Sequence, residues 1–303
     1  MLRLALRFSV FCIALTAFGA CTVIGARHSD LIEYWLWGNS SADGSTNLRI
    51  PEFVSWAETH THPDVIFLGS STCYRGIDPA RFDAHGLSTY NLCSSSQSLA
   101  ASRYVLDFAL ERTAPKRVVI DLYKGVWDTP CYPSFRDHIV NNNFVADPTF
   151  QHMAFSTGDP FFSMQALYFS WKRSAVPLPP LLPGSADNYV GRGFVSSTSG
   201  VKDIQPCEMN RSDLHRENRD AFEYIAQACA KSGAELILLA PPMTCEGPAP
   251  WLENVKGSAG LRRIDGNDWP ESKTDTMYYD DHHLRAQGAQ SYSDWLASKL
   301  AQK

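Results

Sequence analysis

Short, uninterrupted apolar runs separated by helix-length amphipathic stretches constrain this chain more than any other feature. Val65-Ile66-Phe67-Leu68 is cut off by Gly69, similar runs recur in residues 117–121 and 235–240, and Thr89-Tyr90-Asn91-Leu92 is a weaker one. A strand half-exposed to water alternates apolar and polar residues, whereas one covered on both faces does not, so these runs read as strands of a buried parallel sheet. Helical patterns lie between and after them. Residues 99–112 carry apolar side chains at Leu99, Val105, Leu106, Phe108, Ala109 and Leu110 and stop before Pro115. A second helix is expected over 213–232, capped by Ser212 and ended by Gly233, and a third over 287–300. Strands alternating with helices predict an α/β fold with a doubly wound parallel sheet, whose ligands bind beyond the carboxyl ends of the strands.

The remaining segments fit one catalytic domain behind a membrane segment. Of 303 residues, 44% are hydrophobic and 19% charged, the balance of a folded chain with a real core. The net charge is −5 and no Lys/Arg-rich stripe occurs, so the electrostatic footprint of a nucleic-acid binder is missing. Residues 8–26 carry no charge, follow Arg3 and Arg7, and precede Arg27, His28 and Asp30. That run approaches the length of about 20 residues needed to span a bilayer as a helix. With both early arginines on the cytoplasmic side, the rest of the chain lies outside. Three readings share this topology: an uncleaved anchor, a signal peptide cut near Ala17-Phe18-Gly19, or an imperfect lipobox at Phe18-Gly19-Ala20-Cys21. We therefore expect an anchor or signal over 1–28, a polar linker or covering segment over 29–62 and a catalytic domain over 63–303. An insertion rich in aromatics, Asn and Pro occupies about 123–211, with a short helix expected near 161–171 and the Pro-rich stretch 177–184 at its centre. Beyond the anchor, Cys73, Cys93, Cys131, Cys207, Cys229 and Cys245 make an even set, as disulfides in an oxidising compartment would, although Cys229 equally suits a buried free thiol.

Two clusters carry chemistry. Gly69-Ser70-Ser71-Thr72-Cys73 falls where the first strand ends, so a serine there can stand over the sheet edge with its backbone N–H toward a developing oxyanion. The plain alternative is a Gly/Ser turn. Asp280-Asp281-His282-His283-Leu284 lies just before the last helix. An acid three residues ahead of a histidine can accept its Nδ1–H, fix the tautomer and leave Nε2 facing a nucleophile. The plain alternative here is a solvated, capped helix start.

Together the two clusters resemble the SGNH (GDSL-type) serine esterases and acyltransferases. In that family the nucleophile sits in a Gly-Asp-Ser block after the first strand, and the acid and base form Asp-x-x-His near the C-terminus. Gly69-Ser70-Ser71 and Asp280-Asp281-His282-His283 match in order and spacing. The resemblance implies Ser71 as nucleophile, His283 as base and Asp280 as its orienter, in a flavodoxin-like three-layer α/β/α fold that needs no cofactor. The His283-Leu284 step and Gly288 are similar to the family's run into its last helix. Tyr90-Asn91-Leu92-Cys93-Ser94-Ser95-Ser96 resembles the second block, with Ser96 at the oxyanion-hole glycine and the N–H of Ser71 as a further donor. The chain departs at Gly-Ser-Ser and in the third block, where Val118 to Gly125 holds no Asn. Such departures resemble a divergent, membrane-anchored subgroup that acylates bacterial cell-surface polymers. They imply a glycan or acyl-ester substrate, contact with the membrane through the N-terminal segment, and a membrane acyl-donor protein as a candidate partner.

Three other readings compete for the same residues. An α/β-hydrolase would need Gly-x-Ser-x-Gly, and here the fifth residue is Cys73. A metal enzyme could draw on Asp280, Asp281, His282 and His283 with His60 and His62, but His60-Thr61-His62 precedes the first strand, at the wrong end of the sheet. A non-catalytic glycan binder could stack Trp127, Tyr132, Phe135, Tyr168, Phe169 and Trp171 on sugar faces, unless these pack core and lid. His85, His138, His152 and His215 are isolated. Finally, Cys73 and Cys93 each follow a strand end beside the expected site, and a disulfide between them is expected.

Overall fold

The computed structural model describes residues 2–29, 31–32, 49–126, 147–173, 187–198, 200, 215–244 and 259–302. Its strands are β1 (Val65–Leu68), β2 (Thr89–Asn91), β3 (Arg117–Asp121), β4 (Asp187–Gly191), β5 (Phe194–Ser197), β6 (Glu235–Ala240) and β7 (Arg262–Asp265). Its α-helices are α1 (Leu2–His28), α2 (Arg49–Ala57), α3 (Ser71–Gly76), α4 (Pro79–Asp83), α5 (Leu99–Leu110), α6 (Pro148–Ser156), α7 (Pro160–Arg173), α8 (Arg216–Ser232) and α9 (Ala286–Ala301). Five strands form one parallel sheet in the order β2-β1-β3-β6-β7. Counted among themselves these run 2-1-3-4-5, the flavodoxin order, whose direction of winding reverses between β1 and β3.

The uninterrupted apolar runs divide cleanly between two layers. Ile66, Leu68, Val118, Ile120, Leu236 and Leu238 point to a core shared with α2, α5 and α8. Val65, Phe67, Val119, Ile237 and Leu239 point to the other, shared with α3 and α9. Successive side chains of a strand alternate faces, so a run apolar at every position is what a sheet between two helical layers requires.

Helix ends follow their capping residues. Ser98 starts α5 by accepting from the Ala101 N–H at 3.2 Å. Gly233 ends α8 at φ 79°, with its N–H on the Ala230 and Cys229 carbonyls. The expected caps and bounds at 212–214 lie outside the described residues, and α8 begins at Arg216. Helix α7 encloses the one expected at 161–171, and α9 exceeds its expected span by one residue at each end.

Several elements were not expected, helices α2, α4 and α6, strand β7 and the hairpin β4–β5 among them. Helix α2 lies in the stretch read as a polar linker or cover, with Ile50 and Phe53 fully buried. Phe53 meets Tyr90 edge-on at 5.0 Å, and burial of a ring this size contributes about 2–3 kcal/mol. Strand β7, Arg262-Arg263-Ile264-Asp265, has one apolar residue because it is the sheet edge. The hairpin β4–β5, part of the insertion, docks on the opposite edge. There the Asn91 N–H donates to the Arg192 carbonyl at 3.1 Å, and a Cβ on Gly193 would fall 1.8 Å from the Asn91 carbonyl oxygen, so no other residue fits. Helix α1 is long and apolar enough to cross a membrane and is exposed along that window. Near its end Ala26 is buried against the domain, and the Arg27 guanidinium lies 4.4 Å from the Trp171 ring.

Candidate active site

The turn after β1 places Ser71 over the carboxyl edge of the sheet. Gly69 makes that turn because a Cβ there would come within 2.6 Å of the Asp121 Cβ on neighbouring β3. Ser70 then takes the N-cap position and Ser71 opens α3. Ser71 Oγ lies 2.7 Å from His283 Nε2, and His283 Nδ1 lies 2.8 Å from Asp280 Oδ2. The other oxygen of that carboxylate, Oδ1, accepts the backbone N–H groups of His282 and His283 at 3.0 and 2.7 Å. One acid therefore orients the ring and folds the loop that carries it. The loop is clamped at its base by an antiparallel bridge between Tyr278 and Leu284, both buried. Tyr279 stacks on the His283 ring at 5.3 Å.

Electrostatics suit a base at neutral pH. Burial holds the His283 imidazole below its ordinary pKa, with the charges of His282 and Arg75 acting the same way and the Asp280 hydrogen bond opposing. Burial alone would raise Asp280, but the hydrogen bond and charge of His283 and the His282 N–H hold it well below the usual carboxylate range. With Asp280 ionised, Nδ1 keeps the ring proton and Nε2 presents its lone pair to the Ser71 hydroxyl.

Ser71, Tyr74, Arg75, Ser95, Ser96, Tyr123, Tyr279, His282 and His283 border a cleft of about 430 Å³. Ser96 adopts φ 51°, the left-handed region natural to glycine. The backbone N–H groups of Ser71 and Ser96 have no hydrogen-bond partner among the described residues. Asn91 is not a further donor to the cleft. Its amide donates to the Cys73 and Ile77 carbonyls at 3.1 Å each and accepts the Cys93 N–H, which joins the second block to α3. The expected disulfide between Cys73 and Cys93 is present, with Cα atoms 6.0 Å apart. Cys229 is a buried free thiol, and Cys131, Cys207 and Cys245 lie outside the described residues.

Other candidates disperse. His60 stacks on Trp56 at 4.3 Å before β1, away from the carboxyl edge, so the wider His/Asp set is not brought together. Asp280, His282 and His283 each offer an atom within 4.8 Å of the others, but Ser71 and Asp280 already occupy both nitrogens of His283. Tyr168 and Phe169 are core residues, in line with their reading as core packing rather than sugar platforms, and Trp171 sits beside Arg27. Trp127, Tyr132, Phe135 and His138 lie outside the described residues. His152 packs edge-on to Tyr104, His85 lies 4.0 Å from Asp294 and His215 precedes α8. A second cleft of about 540 Å³, lined by Tyr104, Asp107, His152 and Tyr224 among others, holds no serine or cysteine nucleophile.

Several site residues had no role in the sequence reading, among them Asp121, Tyr123, Arg75 and Tyr279. Asp121 ends a strand and was legible only as a strand residue, yet it is buried under the turn that carries Ser71. Thr72 Oγ1 lies 3.0 and 3.1 Å from its two oxygens, and burial pushes its carboxyl up to about 8.

No family model and no curated protein matches the chain. Among solved structures it is similar to a Bacteroides fragilis protein provisionally named an acylhydrolase, at 10% identity and a TM-score of 0.42, over 83% of this chain and 95% of that one. A Streptococcus pneumonia protein provisionally named a platelet activating factor gives 13% identity and a TM-score of 0.39, over 89% of this chain and 96% of that one. At such identities and scores neither likeness bears on the chemistry, which rests on this chain's own residues.

Proposed function

We propose that the protein is an SGNH-type serine esterase or O-acyltransferase that moves an acyl group, acetyl in the simplest case, onto or off an exported or cell-surface glycan. The observation that carries this reading is the continuous hydrogen-bonded line Ser71–His283–Asp280 at the carboxyl edge, beside the point where the winding reverses. As His283 Nε2 takes the hydroxyl proton, Ser71 Oγ attacks the acyl carbonyl carbon and the C=O pair moves onto oxygen. The N–H groups of Ser71 and Ser96 border the cleft where that oxyanion would form. Collapse expels the donor's alkoxide, which takes the proton from His283 and leaves acyl-Ser71. An acceptor hydroxyl, from water or a sugar, then attacks as His283 removes its proton, and Ser71 Oγ departs with that proton. Nothing in this sequence needs a metal or organic cofactor.

The N-terminal helix supports placing the domain outside the cytoplasm, held by α1 as an anchor or delivered by it as a signal. To test the function, full-length protein in detergent is given an activated acetyl ester with and without an oligosaccharide, and acetate and acetylated sugar are followed by mass spectrometry. The expected product is acetylated sugar, lost in Ser71→Ala and His283→Ala. Acetate release indifferent to any glycan would reduce the reading to a simple esterase. Absence of turnover and of any Ser71 adduct would favour the non-catalytic glycan binder.

A further inference from the structure

We infer that His282 is a second substrate-binding imidazole of the cleft, holding the acceptor by a hydroxyl adjacent to the one that is acylated, so that the preferred acceptor is a vicinal diol. This rests on the acyl-Ser71 reading and specifies its substrate class. Consecutive residues usually face apart, yet His282 and His283 both line the cleft. They do so because Asp280 Oδ1 gathers both of their backbone N–H groups into one tight loop. Each ring also has its own carboxylate. His282 Nδ1 lies 2.6 Å from Asp281 Oδ1, as His283 Nδ1 lies 2.8 Å from Asp280 Oδ2. The His282 ring stacks on the Tyr123 ring, centroids 4.8 Å apart at 11°, and lies tilted against the His283 ring, centroids 3.9 Å apart. Asp281 is itself fixed, its carbonyl accepting the Thr244 N–H and hydroxyl at 3.0 and 3.1 Å.

Such an arrangement sets one tautomer. In the tautomer that gives Nδ1–H to Asp281, Nε2 carries the lone pair and can accept from a hydroxyl. That nitrogen has no partner among the described residues, whereas the matching nitrogen of His283 holds Ser71. The two ring centroids lie only 3.9 Å apart, at an interplanar angle of 42°, so hydroxyls on adjacent carbons could each reach one ring. In the transfer step His283 removes the proton of the attacking hydroxyl and returns it to Ser71 Oγ. His282 accepts a hydrogen bond from the neighbouring hydroxyl and gains or loses no proton. Water has no second hydroxyl to offer, so the contact also favours transfer over hydrolysis.

The test uses full-length protein in detergent with p-nitrophenyl acetate as donor and 1-propanol or 1,2-propanediol as competing acceptors. The readout is the ratio of acetyl ester formed on the diol to that on the monool, which is independent of the total rate. Wild type should favour the diol by about fivefold per hydroxyl, the worth of one neutral hydrogen bond. His282→Phe, which keeps an aromatic ring against Tyr123, should bring the ratio to about one. His282→Gln, whose amide still reaches a hydroxyl, should keep part of it, and Asp281→Asn, which loosens the tautomer, should lower it. A ratio unchanged in His282→Phe and Asp281→Asn, or a wild type without preference, would overturn the inference while leaving acyl-Ser71 intact. Failure of wild type to form any Ser71 adduct would remove the parent reading and this one with it.

Discussion

Asp280 and Asp121 are carboxyl groups on either side of one serine, and their surroundings drive them to opposite protonation states. Asp280 is half-buried but receives three N–H donors, so it stays ionised and orients His283. Asp121 is buried beneath the turn with no cation beside it among the described residues, and desolvation outweighs the donors from Thr72 and the Tyr123 N–H. The protonated acid has an acceptor in reach, since Thr72 Oγ1 lies near both of its oxygens. A carboxyl raised from near 4 to about 8 binds its proton more tightly in the folded state, so its stabilisation is complete below the unfolded value and is lost as pH rises to about 8. Asp121→Asn removes that dependence. In urea unfolding at pH 5, 6.5 and 8, the variant should gain on wild type by up to about 1.4 kcal/mol per pH unit and level off above pH 8. A difference constant with pH would mean that Asp121 is ionised. Ser96 presents another local tension, because its φ of 51° is costly for a side chain bearing a Cβ. Ser96→Gly should stabilise by about 0.5–1 kcal/mol in the same assay, and destabilisation would mean that the hydroxyl has a structural partner.

At the scale of elements, the candidate site is a junction of four loops, after β1, β2 and β3 and before α9, and the junction is covalent in one place. The Cys73–Cys93 bond joins α3, which carries Ser71, to the loop that carries Ser96. Its separation of 20 residues predicts a contribution of about 3 kcal/mol from the restricted unfolded chain. Cys73→Ala with Cys93→Ala should lower stability by that order and slow Ser71 acylation as its two N–H donors drift apart. Unchanged stability in the double variant would show that Asn91 alone fixes the junction. The link from Ser71 to His283, 212 residues apart, was legible only through the family resemblance, whereas the strands β1, β3 and β6, the Cys73–Cys93 pairing and the Asp280/His283 spacing were legible in local pattern. Strand β7 was not, since an edge strand half-covered by solvent has no apolar run to reveal it. Helix α2 was hidden in a stretch read by its turn residues, its Ile50 and Phe53 too few to show a period. Asp121, Tyr123 and Arg75 escaped for another reason: their places by the site follow from sheet order and helix direction, which no local pattern encodes.

Over the whole molecule, two helical layers bury both faces of the sheet and leave the reversal between β1 and β3 as the natural opening at its carboxyl edge. The insertion departs from that edge. Its first residues, Tyr123, Gly125 and Val126, line the cleft, while its hairpin closes the far side of the sheet at β2. The domain thus presents one cleft with a serine, an oriented imidazole and unpaired backbone donors to whatever the N-terminal helix brings it near. The claim on which all else depends is that Ser71 is a nucleophile activated by His283. Intact-mass and peptide mass spectrometry after exposure of full-length protein to a fluorophosphonate tests it directly. Wild type should gain one phosphonyl group on Ser71, Ser71→Ala none, and His283→Ala should react at least about a hundredfold more slowly. A wild type that takes up no label, or labelling that persists in Ser71→Ala, would contradict the account.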